Sequence, residues 1–227
     1  MYNFEQIQEN WDKLHTKISG LTDRKITTLA VTKAHPIELW EICHNLGIRD
    51  IGENRIQELR EKKESRPDLR ETFNVHFIGA LQNNKVKYLD TNVDTFDTLQ
   101  TMDAVGIIDR RWSSSQPLRV LLQINATGET QKAGLMMKSE DAITELLQAC
   151  ISFGNIHPEG FLAMGPTPTN NYNMDSSDYR EDTKKAFLSV VDVRIITNSS
   201  PPNRNNKSVS LKVFFISCDN SSNTSSP

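Results

Sequence analysis

Residues 29–54 read LAVTKAHPIELWEICHNLGIRDIGEN, a short strand, a helix and a second strand in direct succession. The run Ile26–Thr32 is rich in β-branched residues, which favour strands. Pro36 suits the first turn of a helix and Gly47 suits its end. The second strand, Ile48–Ile51, follows at once. Strand, helix and strand in this order predict two parallel strands joined by a right-handed crossover.

The same alternation extends in both directions along the chain. The predicted strands downstream are Phe73–Ile78, Val93–Phe96, Leu118–Ile124 and Ile156–Met164. The predicted helices are one ending near Gly20, one capped by Asn54 with Gln57 at the capping-box position, Asn84–Leu89, Leu99–Trp112, about 139–152, and Ser176–Val191. Six strand–helix units favour an α/β fold of the (β/α)8 TIM-barrel type over a doubly wound sheet, although spacing alone does not separate the two. An eight-unit barrel typically needs about 250 residues, with a lower limit near 200. Only 36 residues remain after Val191, so the fit is tight, and the atypical composition of those residues predicts a barrel that is incomplete after the sixth unit.

Composition changes near the carboxyl end. Between Asn198 and Pro227, 15 of 30 residues are Asn or Ser, and no glycine follows Gly165. Such a segment buries little apolar surface and is typical of loops or disorder, apart from a possible strand at Val209–Ile216. The prediction is a barrel domain over 1–191 and an atypical tail over 192–227.

Charge, cysteines and hydropathy exclude several classes of protein. A net charge of −3 gives no basic surface for nucleic acid or anionic membranes. Three widely separated cysteines argue against a disulfide framework or a zinc cluster. The first residues lack the features of a signal peptide, and no run of 18 apolar residues occurs. We therefore expect a cytoplasmic, soluble protein.

Lys33 stands at the carboxyl end of the first predicted strand. In a barrel that end faces the active site. A partly desolvated lysine there loses some preference for its charged form, and the neutral amine can form a Schiff base with an aldehyde. The alternative is a strand-end lysine that only reaches solvent, which is the commoner case.

Other polar and small residues end strands at the same predicted edge, and each has a simpler explanation as well. Asn54 could bind a ligand or cap a helix, and Gly79 could allow close approach of a ligand or only a turn. Asn125 ends the fifth strand, and Met164, at the end of the sixth, is by default a core residue. For His76, a packed, hydrogen-bonded role is the favoured interpretation. Their shared position still predicts a site at the carboxyl ends of the strands.

Four segments carry a resemblance to a known family. They are Val31-Thr32-Lys33, Ile51-Gly52-Glu53-Asn54, His76-Phe77-Ile78-Gly79 with Gln82-Asn83-Asn84-Lys85, and Gln131-Lys132-Ala133-Gly134. In order and spacing, over about residues 4–190, they resemble the pyridoxal phosphate homeostasis proteins, which have the alanine racemase N-terminal type of barrel. The resemblance implies that Lys33 holds pyridoxal 5′-phosphate (PLP) as a Schiff base. It also implies that Asn54, Ile78, Asn125 and Met164 line the cofactor cavity.

The family is regarded as a cofactor carrier, so the resemblance implies PLP binding without catalytic turnover, a monomer, and PLP-dependent apoenzymes as recipients. Racemases on this barrel add a second domain with an acid/base tyrosine, for which the chain is expected to have no room. Past the sixth helix the family has Ser-Met-Gly-Met-Ser-type and Arg-x-Gly strand ends that hold the phosphate. Val193-Arg194-Ile195-Ile196 is a poor match to the second of these. Two alternatives therefore stay open, namely a PLP-dependent racemase or lyase and a degenerate barrel that no longer binds PLP. A shifted reading frame or an alternative exon would explain the tail.

Overall fold

The computed structural model describes residues 2–23, 26–89, 92–136, 139–167 and 176–186. Its parallel strands are β1 (Leu29–Val31), β2 (Asp50–Glu53), β3 (Asn74–Phe77), β4 (Thr95–Leu99), β5 (Leu118–Asn125), β6 (Leu135–Met136) and β7 (Ile156–Ala163). Its helices are α1 (Phe4–Ser19), α2 (Glu38–Asn45), α3 (Ile56–Ser65), α4 (Pro67–Arg70), α5 (Met102–Arg111) and α6 (Glu140–Ser152), and residues 177–186 are also helical. A 3₁₀ helix covers Asn83–Tyr88.

The sheet follows chain order, with β1 to β5 each paired to the next and β7 paired to β5. Every pairing is parallel. The short β6 pairs only with the last two residues of β5, Ile124 and Asn125. This succession of parallel strands and helices confirms the predicted α/β architecture.

Side chains alternate between the two faces of the sheet. One face packs under the helices and contributes Ile51, Val75, Phe77, Phe96 and Val120 to the main core. Trp40 of α2, Ile108 of α5 and Leu146 of α6 cover this face and are fully buried or nearly so. The core therefore lies between the strands and the surrounding helices, as in a barrel with an outer ring of helices.

The other face of the sheet is concave and faces the interior of the barrel. Leu121 of β5 and Leu162 of β7 are buried there, and Leu29 of β1 packs against them. Side chains from the first and the last described strands therefore meet across the interior. A flat sheet would keep these strands apart, so the contact indicates barrel curvature.

Helix α1 forms for local reasons. Asn3 caps it by accepting a hydrogen bond from the Gln6 amide at 3.1 Å, and its apolar residues recur at helical spacing. Trp11 packs against the core, whereas Phe4 and Leu14 remain exposed. The predicted helix ending near Gly20 is confirmed, and only part of its apolar face is covered by the described residues.

Some local predictions are wrong. Asn54 is not a helix cap, because α3 begins after Arg55, which makes no side-chain capping bond. The segment predicted as a helix at Asn84–Leu89 is a 3₁₀ helix. The sequence patterns also missed β6, which has two residues, and the four-residue α4.

Several predictions lie outside the described residues. They are the atypical tail 192–227, the possible strand at Val209–Ile216, the end of the sixth helix beyond residue 186, and the incompleteness of the barrel after the sixth unit. Among the described helices, none combines the length and apolar character that crossing a bilayer requires.

Candidate cofactor site

Lys33 lies at the carboxyl end of β1, as predicted. The β1–β2 register pairs Leu29 with Asp50 and Val31 with Gly52. Leu29 packs in the barrel interior. Because side chains alternate along a strand, Val31 faces the same side as Leu29, and Lys33 lies in the turn two residues after Val31, the last residue of β1. Its side chain is half-buried, and no hydrogen-bond acceptor among the described residues contacts its amine. The amine is therefore not committed to an ion pair within that part of the chain.

The backbone around Lys33 is held in one conformation. The amides of Thr32 and Lys33 both donate to the Gly52 carbonyl, at 3.0 and 3.2 Å. Ala34 has a φ of 59°, in the left-handed region that non-glycine residues rarely adopt. Its amide donates to Glu58 Oε1 at 2.9 Å. A strained residue of this kind persists where its surroundings fix it, and such residues are common at functional sites.

The carboxyl ends of β2 and β3 approach each other closely beside this turn. A Cβ on Gly79 would lie 2.3 Å from the Asn54 carbonyl oxygen, so only glycine fits. A Cβ on Gly52 would lie 3.1 Å from Ile78 Cδ1 and 3.3 Å from Leu29 Cδ2. The structure thus brings Asn54 and Ile78 together beside the strand that leads to Lys33.

Asn125 is the last residue of β5, and Met164 directly follows the last residue of the neighbouring strand β7. Each follows a residue of the register pair Ile124 and Ala163. The Asn125 side chain is buried and organises the loop after β5. It donates to the carbonyls of Glu129 and Lys132 and accepts from the Gly128 amide. Its amide group therefore holds the loop, and Met164 is half-buried beside it.

The loop after β5 contains an ion pair, and hydrogen bonds from both of its members join the loop to the segment after β7. Lys132 Nζ donates to Glu129 Oε1 at 2.6 Å and to the Gly165 carbonyl at 2.5 Å. Glu129 also accepts from the Thr167 hydroxyl at 2.9 Å. Partial burial would raise the pKa of Glu129, but the hydrogen bonds from Lys132 and Thr167 outweigh it and lower that pKa. Lys132, which belongs to one of the four segments that resemble the family, is therefore held by Glu129 and the Gly165 carbonyl.

A cavity of about 470 Å³ lies at the same rim of the barrel. It is bounded by the loop after β5, the segment after β7 and the helix at 177–186, with Glu129, Thr167 and Lys185 among its lining residues. Its size falls within the usual range for small-molecule sites. The sequence patterns gave no sign of it, because its walls come from three separate segments.

His76 lies deeper in the barrel and forms a charged group that sequence reasoning assigned to packing. Its Nδ1 is 2.7 Å from Asp97 Oδ2, and its Nε2 is 3.3 Å from Asp50 Oδ1. Burial alone would lower the pKa of His76, but hydrogen bonds with Asp50 and Asp97 outweigh it and raise the pKa to about 9. The same contacts lower the pKa of Asp50 against the opposing effect of burial. The packed, hydrogen-bonded role is the one observed, with a positive charge at neutral pH.

The sequence patterns did not identify Glu53 and Lys62. Both contact Thr32 on the face of the sheet that packs against the helices. Glu53 is fully buried, and Lys62 of α3 donates to its Oε1 at 2.7 Å. Nothing in the pattern of α3 distinguishes Lys62 from the exposed charges beside it. Its position among apolar Ile56 and Leu59 on the buried face of the helix is the signal that could have identified it.

The fold is that of known structures. PipY of Synechococcus elongatus PCC7942, determined with PLP bound, superposes with a TM-score of 0.67 at 19% identity, covering 85% of this chain and 84% of that one. An alanine racemase of Clostridium difficile 630 superposes with a TM-score of 0.66 at 14% identity, covering 91% of this chain and 50% of that one. The chain therefore has a barrel of the alanine racemase N-terminal type, and the predicted fold class is confirmed.

Sequence comparison gives the family. The Escherichia coli K12 pyridoxal phosphate homeostasis protein is 31% identical over 176 residues, covering 75% of this chain and 72% of that protein. The Caenorhabditis elegans protein of the same name is 27% identical over 164 residues, and the chain spans 66% of its length, just under two thirds. No protein-family model matches the chain. The chain belongs to the pyridoxal phosphate homeostasis protein family.

Proposed function

We propose that this chain binds PLP through a Schiff base on Lys33 and acts in PLP homeostasis as a carrier without catalytic turnover. The observation that carries the proposal is the position of Lys33. It lies in the turn directly after the carboxyl end of β1, between two residues whose backbone groups are hydrogen-bonded in place.

Membership of the family supports the ligand. The relatives are named for PLP homeostasis, and the PipY structure with the same fold has PLP bound. PLP, when bound, would supply an aldehyde. The Lys33 amine would condense with the aldehyde carbon to form a C=N bond with loss of water, so no other reactant would be needed.

The residues around Lys33 suit such a group. Gly52 and Gly79 let the ends of β2 and β3 approach closely, which leaves Asn54 and Ile78 beside the lysine-bearing turn. We propose these two residues, with Asn125 at the end of β5 and Met164 directly after β7, as the lining of the cofactor cavity. Asn125 contributes by holding the loop after β5.

The cellular setting is also part of the proposal. We propose that the protein acts as a monomer in the cytoplasm and passes PLP to PLP-dependent apoenzymes. A net charge of −3 supports a role away from nucleic acid and anionic membranes.

Titration of the purified protein with PLP, followed by absorption spectroscopy, tests the function. We expect the absorption band of a protein-bound Schiff base to appear with the wild type and to be lost in Lys33→Ala. Lys13→Ala is the matched control, because Lys13 is exposed on α1 and pairs with Glu9 on the same helix. No spectral change with the wild type would overturn the proposal in favour of a barrel that no longer binds PLP.

The structural likeness to alanine racemase makes racemisation or lyase chemistry the second candidate. Incubation of the PLP-loaded protein with single L-amino acids, followed by chiral chromatography, separates it from the carrier. We expect no conversion above that of free PLP. Turnover that disappears in Lys33→Ala would replace the carrier proposal with an enzymatic one.

A further inference from the structure

A buried ionic cluster lies directly behind the turn that carries Lys33. Lys62 of α3 is only 5% exposed. Its amine donates to Glu53 Oε1 at 2.7 Å and to the Thr32 carbonyl at 3.1 Å, and it lies 3.1 Å from Glu58 Oε1. Three oxygen atoms from three segments therefore surround one ammonium group.

The fully buried Glu53 carboxylate gathers the other donors. Its Oε1 accepts from the Thr32 hydroxyl at 2.7 Å and from the Trp40 indole at 3.2 Å, in addition to Lys62. The cluster thus connects the end of β1, the end of β2 and helices α2 and α3. Its members were not recognisable from the sequence as one unit.

The cluster holds the backbone on both sides of Lys33. On one side the Thr32 carbonyl accepts from Lys62, and on the other the Ala34 amide donates to Glu58 Oε1 at 2.9 Å. Ala34 needs such support, since its φ of 59° is unfavourable for a residue with a Cβ. Lys62 and Glu58 belong to the same helix, so α3 fixes both flanks of the lysine.

Stability alone does not account for this arrangement. Removing two charges from water costs free energy, and a buried ion pair is often no more stabilising than apolar residues of the same volume. Apolar side chains at positions 53, 58 and 62 would fill the space. They would neither donate to the Thr32 carbonyl nor accept from the Ala34 amide. What the charged cluster adds is a fixed orientation of the Thr32–Ala34 backbone.

We propose that Lys62, with Glu53 and Glu58, is a positioning residue that presents the Lys33 amine to the aldehyde of PLP. Lys62 itself does not react, because its amine is buried and held by three oxygen atoms. The inference rests on the proposed function and deepens it. In this inference, side chains on the outer face of the sheet fix the position of the Lys33 amine.

The test is the rate at which the Schiff base forms after PLP is added, measured by absorbance over a range of PLP concentrations. In Lys62→Met we expect the limiting rate to fall by about tenfold or more, because a misplaced amine rarely reaches the attack geometry. The half-saturating PLP concentration should change little, since Lys62 does not line the cavity. A variant that only loosened the whole fold would change both quantities and lower the melting temperature in parallel.

The control is Lys63→Met, the same substitution at the next position of α3, which should react like the wild type. Wild-type kinetics in Lys62→Met would overturn the inference, whereas a wild type that forms no adduct on Lys33 would instead overturn the proposed function. If Lys62→Met does not fold by circular dichroism, Glu58→Gln decides. It leaves the Glu53–Lys62 pair intact and weakens the bond to the Ala34 amide. A slower limiting rate in that variant supports the inference, and an unchanged rate contradicts it.

Discussion

Gly79 is the residue at which the geometry of the site allows least variation. An added Cβ would lie 2.3 Å from the carbonyl oxygen of Asn54 and 2.9 Å from its carbonyl carbon. The Gly79 carbonyl also accepts from the buried Thr98 hydroxyl at 2.6 Å. The obstacle is backbone on one side and a hydrogen-bonded strand on the other, so neither neighbour can move without cost.

Substitution of Gly79 by alanine should therefore lower the free energy of unfolding by about 1–3 kcal/mol, the usual cost of overpacking. Urea denaturation measures it. Gly154→Ala is the control, because no described residue other than its chain neighbours has an atom within 4 Å of the Cβ position there. Equal stabilities of the two variants would contradict the close approach of β2 and β3.

Single residues also mark where sequence reasoning succeeds. The position of Lys33 in the fold was predictable, because a residue between the end of a strand and the start of a helix lies at the carboxyl-end rim of the barrel. Glu53 and Lys62 were not, since each looks like an ordinary charged residue, and only the folded chain brings them together at 2.7 Å. The simpler explanation of Asn54 as a helix cap was wrong, because α3 begins after Arg55.

At the scale of elements, His76 joins three neighbouring strands. It lies on β3 and contacts Asp50 of β2 and Asp97 of β4 inside the barrel. Its pKa is raised to about 9 in the folded chain from an ordinary value of 6.5. Because the folded state holds the proton more tightly, this contribution to stability is complete below about pH 6.5 and is lost as the pH rises through about 9.

The protonated histidine should contribute on the order of 3 kcal/mol at or below neutral pH, given its shift in pKa. We expect the difference in unfolding free energy between the wild type and His76→Asn to shrink between pH 7 and pH 10. Urea titrations at fixed ionic strength across that range measure it. A difference that stays constant with pH would mean that His76 is not charged in the folded protein.

The elements themselves show which patterns are informative. Long strands with a buried face, such as Leu118–Asn125, and helices with a regular apolar stripe, such as α6, were predicted to within a residue or two. The two-residue β6 was missed because it is defined by its two pairs with β5, which are contacts of the folded chain and leave no local sequence pattern. A pattern of period two needs more than two residues to be visible.

At the scale of the whole molecule, the barrel depends on contacts across its interior. Leu162 of β7 is 1% exposed and packs with Leu121 and Leu29, so it links the first described strand to the last. In an open, flat sheet the same side chain would face solvent on one side of the molecule. The stability lost on truncating it is therefore a measure of barrel curvature.

Leu162→Ala should cost about 2–5 kcal/mol, as expected for a buried leucine that leaves a cavity. Ile151→Ala is the control, because Ile151 of α6 is 56% exposed and its truncation should have little effect. Thermal unfolding at matched protein concentration compares the two. A similar small loss in both variants would contradict an interior shared by β1 and β7.

The proposed function requires that Lys33, at the carboxyl end of β1, becomes covalently joined to PLP. Its most direct test is to mix the protein with a small excess of PLP, reduce with borohydride, digest, and locate the modified residue by mass spectrometry. We predict a single reduced adduct on the peptide that contains Lys33, absent when Lys33 is replaced by alanine. Adducts spread over exposed lysines, or no adduct on Lys33 while PLP is abundant, would contradict the proposed role of Lys33.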